Sequence, residues 1–261
     1  MLPALGLLVL YGLAVGVSLG LTGGGGSIIT VPLLVYLVGQ PVHVAIPTSL
    51  VIVGGTAFAG YLGRLSAADT RGGLVFGLIG LGGAVPGRFA AHFFAGPTLL
   101  LLFALIMVVA SYFMFGSRAY GVKAGAKPNW VAVIVAGVGV GFLTGFLGVG
   151  GGFLIVPCLV LILGMGIAQA IPTSLLVIAI NCASSLAGPA LVGHAEHSLA
   201  AIDWRVAALF LAGGLAGGWI GATIARRLDQ RALKRVFAVF VFIVGLFIAA
   251  STTGLIPISV K

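Results

Sequence analysis

The chain is dominated by apolar runs of roughly 20 residues, broken by glycine, proline and short polar stretches. Runs of this length match membrane helices, whereas the strands of a membrane β-barrel would alternate over about 10 residues. Composition agrees, because 61% of the residues are hydrophobic and only 7% are charged, against about a quarter charged in soluble domains. This excludes a soluble enzyme or binding module, and the sequence predicts an all-α polytopic membrane protein.

The formal net charge of +9 comes from thirteen Lys and Arg against four Asp and Glu. The cations lie in short loops, where the positive-inside bias of membrane proteins explains them without a nucleic-acid partner. The first 21 residues lack a basic n-region and a cleavage site, so we expect a retained spanning helix. Cys158 and Cys182 lie inside apolar runs, so we expect no disulfide, no metal framework and no cofactor.

The apolar runs form two sets of five on either side of a basic linker. We divide the chain into an N-terminal repeat (1–116), a linker (117–128) and a C-terminal repeat (129–261). The runs lie at roughly 2–21, 27–39, 42–63, 73–95 and 97–116, and at roughly 129–147, 152–165, 167–193, 204–225 and 234–253.

The two sets are related in sequence. Gly20–Leu50 matches Gly145–Leu175 at a constant offset of 125, with 15 identities in 31 positions and no gap. The matched positions include Gly, Pro, Thr and Ser, which hydrophobic composition alone does not produce. Further on, the match weakens to Gly82-Gly83 against Gly213-Gly214. The sequence therefore indicates an internal duplication.

Two topologies are open, because the run 27–39 is about 20 Å long as a helix against a hydrocarbon core of about 30 Å. If this run and its counterpart do not cross, each half has four spans and the repeats are parallel. If they cross, each half has five and the repeats are inverted. Inversion puts the linker and the basic loop 226–235 on one side and the loop 194–203 on the other, as the positive-inside bias favours. We expect inverted repeats, short broken helices at their interface, a cytoplasmic linker and both termini outside.

The duplicated segment opens on a glycine motif, Leu21 to Ser27, repeated as Leu147 to Gly152. Each glycine costs about 1 kcal/mol in a helix relative to alanine, so we expect the backbone to open there. Free N–H groups at the start of the next helix would bind an anion without a charged side chain. The alternative is close helix packing through small residues. The predicted substrate-binding residues are Gly24, Gly25, Gly26, Ser27, Gly150 and Gly151.

The second motif is Pro47-Thr48-Ser49, repeated as Pro172-Thr173-Ser174. Because proline lacks an N–H and disfavours helix in the preceding residue, we expect a helix to restart with Thr and Ser in its first turn. The four hydroxyls would then line a substrate site, with the two copies close together at mid-membrane depth. The alternative is a kinked helix whose hydroxyls bond back to preceding carbonyls.

Few ionisable groups are available. The candidate for proton coupling is His43, near the first Pro-Thr-Ser motif; an ordinary interfacial histidine is the alternative. Asn181 aligns with Thr56 and is predicted to face the substrate cavity, although an interhelical hydrogen bond would also explain it. The acids all fall in loops, so a buried carboxylate relay is not expected; they are Asp69, Glu196, Asp203 and Asp229.

The duplicated glycine turn, followed by Val-Pro and then Ala-Ile-Pro-Thr-Ser-Leu, resembles the TauE/SafE family of sulfite and organosulfonate exporters over nearly the whole chain. The segments that carry the resemblance are LTGGGGSIITVPLL, FLGVGGGFLIVPCL and both copies of AIPTSL. The resemblance implies secondary transport of sulfite, thiosulfate or small sulfonates across the cytoplasmic membrane, coupled to protons.

Three functions are compared. The favoured one is a multi-pass secondary transporter of a small anion in the cell membrane, of unspecified oligomeric state. An intramembrane enzyme would use Ser27, Ser49 or Ser174 as a nucleophile, but the second repeat has no histidine at the position of His43. A channel or a membrane subunit of a larger assembly is the third. No G-x-x-x-x-G-K-[ST] motif occurs, so ATP-driven transport would need a separate subunit.

Overall fold

A computed structural model describes residues 2–91, 96–116, 130–147, 152–161, 163–191 and 202–252. These residues form ten α-helices and no strand, which confirms the predicted helical class. The helices are α1 (Leu2–Thr22), α2 (Gly25–Pro32), α3 (Val42–Leu62), α4 (Thr70–Ala91), α5 (Gly96–Gly116), α6 (Trp130–Leu147), α7 (Gly152–Leu161), α8 (Ile167–Leu191), α9 (Trp204–Arg227) and α10 (Gln230–Thr252). The predicted linker 117–128 lies outside the described residues.

Three helical segments in the described residues are long and apolar enough to cross a bilayer. Large apolar side chains are exposed on the outer faces of the bundle, including Leu10, Val131 and Trp219. A surface this apolar is suited to lipid. The three segments are Leu5–Thr22, Ile167–Ala187 and Trp204–Arg227, and shorter apolar ones are Pro47–Leu62, Trp130–Thr144 and Val241–Ser251.

Helices α1 and α9 pack through glycine faces. A Cβ added to any of three α1 glycines would overlap the backbone of α9, so only glycine permits this approach. The contacts advance by four residues on both helices in the same direction, which makes the helices parallel. The facing pairs are Gly12 with Phe210, Gly16 with Gly214 and Gly20 with Gly218.

Helices α4 and α6 pack in the same way and are also parallel. Here Gly80 faces Gly141, and two further α4 glycines meet the α6 backbone. Three α4 glycines make the same kind of backbone contact as three α9 glycines that lie 134 residues later in the sequence. This offset replaces the sequence match of Gly82-Gly83 with Gly213-Gly214, which assumed an offset of 131. The corresponding glycines are Gly80 and Gly214, Gly83 and Gly217, and Gly87 and Gly221.

Helices α3 and α8, which carry the Pro-Thr-Ser motifs, pack against each other in antiparallel fashion. A Cβ on Gly54 would lie 2.9 Å from the Cβ of Cys182, and one on Gly60 would lie 3.1 Å from Leu175. Helix α9 runs parallel to α3, and α4 runs parallel to α8. Thus α1, α3 and α9 run in one direction, whereas α4, α6 and α8 run in the other.

The short helices α2 and α7 end in the same way. Helix α2 continues as a π-helical turn, Leu33–Leu37, directly after Pro32, which cannot donate a backbone hydrogen bond. The glycines that follow, Gly39 and Gly164, have φ of 78° and 65°, in the left-handed region that ends helices. The amides of the next residues bond back to the helix, Gln40 to the Leu34 carbonyl at 2.9 Å and Met165 to the Leu159 carbonyl at 3.0 Å.

Candidate functional site

The backbone opens at the first glycine motif, as predicted, but only over two residues. Helix α1 ends at Thr22, Gly23 adopts a φ of 72°, and Gly24 precedes the first residue of α2. The Ser27 hydroxyl donates to the Gly24 carbonyl at 2.7 Å. Gly25, Gly26 and Ser27 are therefore helical residues just beyond the turn.

Residues 148–151 of the second glycine motif, which include the predicted Gly150 and Gly151, lie outside the described residues. Its described end, Gly152, starts α7 beside the first motif. A Cβ on Gly152 would lie 2.9 Å from the Cα of Gly24 and 3.0 Å from the Gly24 carbonyl oxygen. The ends of the two motifs therefore lie in backbone contact.

Ser174 joins the second Pro-Thr-Ser motif to the first glycine turn. Its hydroxyl lies 2.7 Å from the Gly23 carbonyl and 2.7 Å from the Ile171 carbonyl, and it is fully buried. A Cβ on Gly23 would lie 2.8 Å from the same hydroxyl. Ser49, the counterpart of Ser174, is also buried, and the glycine that matches Gly23, Gly148, lies outside the described residues.

The prolines do not restart a helix, so that prediction is wrong. Helices α3 and α8 each begin five residues before the proline, which places Pro47 and Pro172 inside them. Each proline removes only one backbone bond, to a carbonyl in the first turn, and this loss is tolerated near a helix start. The Thr173 hydroxyl donates back to the Gln169 carbonyl at 2.8 Å, as the alternative interpretation described.

The two threonines each hold the start of a helix from the other half. The Asp69 backbone N–H donates to Thr173 Oγ1 at 2.9 Å, and the Asp203 backbone N–H donates to Thr48 Oγ1 at 3.1 Å. Both threonines are fully buried. Each aspartate also caps its helix, because Asp69 Oδ1 accepts from the Gly72 amide at 2.9 Å and Asp203 Oδ1 from the Val206 amide at 3.1 Å.

Sequence reasoning assigned these aspartates to loops and missed their contact with the predicted site. A signal was present, because Asp69-Thr70-Arg71 and Asp203-Trp204-Arg205 repeat the pattern Asp-x-Arg. Their offset is 134 rather than 125, so an ungapped match does not find them.

The two Pro-Thr-Ser motifs do not meet, contrary to the expectation. Because α3 and α8 are antiparallel and Gly60 faces Leu175, Ser174 lies level with the C-terminal end of α3. Ser49 lies about 12 residues earlier, or roughly 18 Å along the helix axis. Antiparallel packing separates equivalent positions unless they lie at the midpoint of the crossing.

Thr56 and Asn181 are the equivalent polar residues close to that midpoint, which is marked by the contact of Gly54 with Cys182. The Thr56 hydroxyl donates to the Ile52 carbonyl at 2.7 Å. Asn181 is 2% exposed, and its buried Oδ1 has no hydrogen-bond partner among the described residues. Within the described residues, this oxygen therefore does not make the interhelical hydrogen bond that was the alternative explanation of Asn181.

His43 lies in the first turn of α3, and its side chain is outside the described part of the structure. Both native thiols, Cys158 and Cys182, are free. No group of His, Cys, Asp and Glu within the described residues could hold a metal ion.

The family model described as sulfite exporter TauE/SafE matches residues 8–248. The chain belongs to the TauE/SafE family. This TauE/SafE protein is similar to a probable membrane transporter protein of Xylella fastidiosa (strain Temecula1), 36% identical over 244 residues and 90% of each chain. It is also similar to YunE, a probable membrane transporter protein of Bacillus subtilis, 26% identical over 267 residues, 92% of this chain and 95% of that one.

The comparisons confirm the resemblance that the motifs indicated. No solved structure matches the chain significantly. The TauE/SafE protein is a membrane transporter rather than an enzyme, and a transporter acts on a small substrate within the bilayer.

Proposed function

We propose that this protein is a secondary transporter that exports small sulfur-containing anions, namely sulfite, organosulfonates or thiosulfate, across the cytoplasmic membrane with proton coupling. Membership of a family described as sulfite exporters supports this substrate class. The observation that carries the position of the site is the buried carboxamide oxygen of Asn181 at the crossing of the two halves, which has no hydrogen-bond partner in the described part of the chain. A polar group left without a partner at such depth costs free energy and marks a ligand position.

The two halves, 1–116 and 129–261, act as inverted repeats in this proposal. Helices that correspond in sequence run in opposite directions, since α1 and α3 oppose α6 and α8, and α4 opposes α9. We expect a cytoplasmic linker 117–128, a cytoplasmic loop 226–235 and external termini. Cysteines placed at Lys123 and Arg231, in a variant without the two native thiols, should be labelled from the same side of the membrane. Labelling from opposite sides would contradict the inverted arrangement.

Substrate is held between the glycine turns and the polar residues beside them. The residues proposed to surround the substrate are Gly24, Gly25, Gly26, Ser27, Gly150, Gly151, Ser174 and Asn181. Thr48 and Thr173 hold the helix starts on either side, and Ser49 lies at the far end of the α3–α8 pair. Backbone N–H groups at helix starts favour anions, and the Asn181 carboxamide presents two further donors when its amide is rotated. The contact of Ser174 with Gly23 supports this position, because it fixes the turn from which the N–H groups extend.

Proton coupling is assigned to His43. Residues on either side of it in sequence, Gln40 and Thr48, both bond Asp203. Protonation of His43 would add a positive charge that offsets the charge of a bound anion. The expected signature is uptake that depends on an imposed pH gradient and is lost in His43→Gln.

The decisive experiment is uptake by purified protein in liposomes, comparing sulfite, thiosulfate, sulfoacetate and sulfate under a pH gradient. Ser174→Ala removes the bond that fixes the Gly23 turn, and Asn181→Ala removes about one hydrogen bond to a charged group, so apparent affinity should fall about ten- to a hundredfold. Ser66→Ala is the matched control, because Ser66 is exposed in the short 3₁₀ turn Leu65–Ala67. Flux that does not saturate and ignores the gradient would favour a channel. Unchanged affinity in both variants would overturn the site.

A further inference from the structure

A cavity of about 220 Å³ lies between α3 and α9. It extends from Thr56, near the midpoint of α3, to Arg64 just after the end of that helix, and it is closed on the other side by α9. Eight residues of helix span about 12 Å, so the cavity leads from the helix ends to the depth of Asn181. A water needs roughly 10–15 Å³ of such space, so an oxyanion with several waters fits.

Two arginines share this cavity. Arg64 donates from Nη2 to the Gly20 carbonyl at 2.7 Å, at the end of α1, while its buried Nε has no hydrogen-bond partner among the described residues. Arg226, in the last turn of α9, lines the same space. Burial and the positive charge of Arg226 lower the pKa of Arg64 to about 10, which leaves Arg64 cationic at neutral pH.

Cations brought together in a partly enclosed space repel each other unless an anion joins them. No carboxylate among the described residues offsets the effect of burial and of Arg226 on Arg64. Guanidinium groups bind planar and tetrahedral oxyanions through paired N–H donors. The cavity therefore has the charge, the donors and the volume of an oxyanion site.

We propose that this cavity, bounded by Thr56, Arg64, Trp219 and Arg226, is an oxyanion-binding vestibule that captures the substrate before it reaches mid-depth. The inference rests on the proposed anion transport. The pair of arginines occurs in one half of the duplication only. The residue matching Arg64 at an offset of 125 is Pro189, and the residue matching Arg226 at an offset of 134 is His92. Capture from the end where α3 and α9 terminate, the predicted cytoplasmic face, suits export.

Occupancy of the vestibule can be read separately from transport. The chain has three tryptophans. The double variant Trp130→Phe, Trp204→Phe leaves Trp219, which lines the cavity, as the only tryptophan whose fluorescence is measured. Sulfite should change Trp219 emission in a saturable way in phosphatidylcholine nanodiscs. Arg226→Gln should raise the half-saturating concentration about ten- to a hundredfold. Arg227→Gln is the matched control, since it removes the same charge one residue further on, from a side chain that is exposed, as Arg226 is, but does not line the cavity.

In liposomes, Arg226→Gln should weaken uptake from the vestibule side only, and Arg227→Gln should leave it unchanged. Normal sulfite uptake without any emission change would overturn the vestibule and leave the proposed function intact. An emission change produced by phosphatidylglycerol, which sulfite does not reverse, would assign the arginines to a lipid phosphate and overturn substrate capture. Saturable binding with no transport of any sulfur anion would defeat the proposed function and, with it, the role in capture.

Discussion

The two ends of the α3–α8 pair are built on the same hydrogen bond but differ in what supports it. At one end Thr48 accepts from the Asp203 amide, and the Gln40 side chain donates to Asp203 Oδ2 at 3.0 Å. At the other end Thr173 accepts from the Asp69 amide, but the residue matching Gln40 is Met165, whose side chain has no N–H to donate. We infer that the duplicated scaffold has been retained with different supports: Gln40 holds the carboxylate at the Asp203 end, whereas a hydrogen bond of 2.9 Å between Tyr61 and Thr70 joins α3 to α4 at the Asp69 end.

The largest expected loss of stability comes from substitutions at the two glycine-packed helix crossings, α1 with α9 and α4 with α6. Gly141→Ala would drive its Cβ into the Gly80 carbonyl, and Gly16→Ala would do the same to Gly214, so each should cost about 3 kcal/mol or more because backbone must move. The matched control is Gly139→Ala, which meets nothing within 4 Å. Folded yield by size-exclusion chromatography in detergent measures the difference. Equal yields from Gly139→Ala and Gly141→Ala would contradict the crossing.

The next largest loss of stability distinguishes Asp203 from Asp69. Asp203→Ala removes a helix cap and the acceptor for Gln40, so it should lower the free energy of unfolding by roughly 2–4 kcal/mol. Asp69→Ala removes only the cap and should cost roughly 1–2 kcal/mol. Thermal unfolding in detergent ranks the two variants. If Asp69→Ala were the more damaging, the asymmetry between the ends would be wrong.

The sequence predicted the helical class and the opening at Gly23, because apolar run length and glycine cost are local properties. It did not predict that α3 continues through Pro47, since a proline near a helix start loses only one bond. The contact of Asp69 with Thr173 was also hidden. This hydrogen bond joins residues 104 positions apart. Whether they meet depends on the direction of α8 relative to α3, which the sequence does not give.

A smaller change in stability should follow from exchanging Gln40 and Met165, the matched residues at the two ends of the α3–α8 pair. Gln40→Met removes one hydrogen bond to a half-buried carboxylate and should cost about 1–2 kcal/mol. Met165→Gln supplies an amide beside Asp69, so it should raise the melting temperature and slow transport, because opening that end would break an added bond. Uptake rates and thermal unfolding of both variants test this. Faster transport by Met165→Gln would show that the Asp69 end does not limit opening.

The smallest expected change in stability, and the most informative one for function, is at mid-depth. Asn181→Thr gives α8 the residue that α3 has at Thr56, whose hydroxyl bonds back to the Ile52 carbonyl. The variant removes a buried oxygen that has no partner in the described residues, so stability should stay within about 1 kcal/mol or rise. Transport affinity should nevertheless fall, because the carboxamide donors are lost.

Thr56→Asn is the reciprocal control. Its Oδ1 would replace a hydroxyl that Gly214 packs against closely, so it should lose stability before it changes substrate affinity. An Asn181→Thr protein that is both stable and fully active would remove Asn181 from the substrate site and leave its burial without a functional explanation.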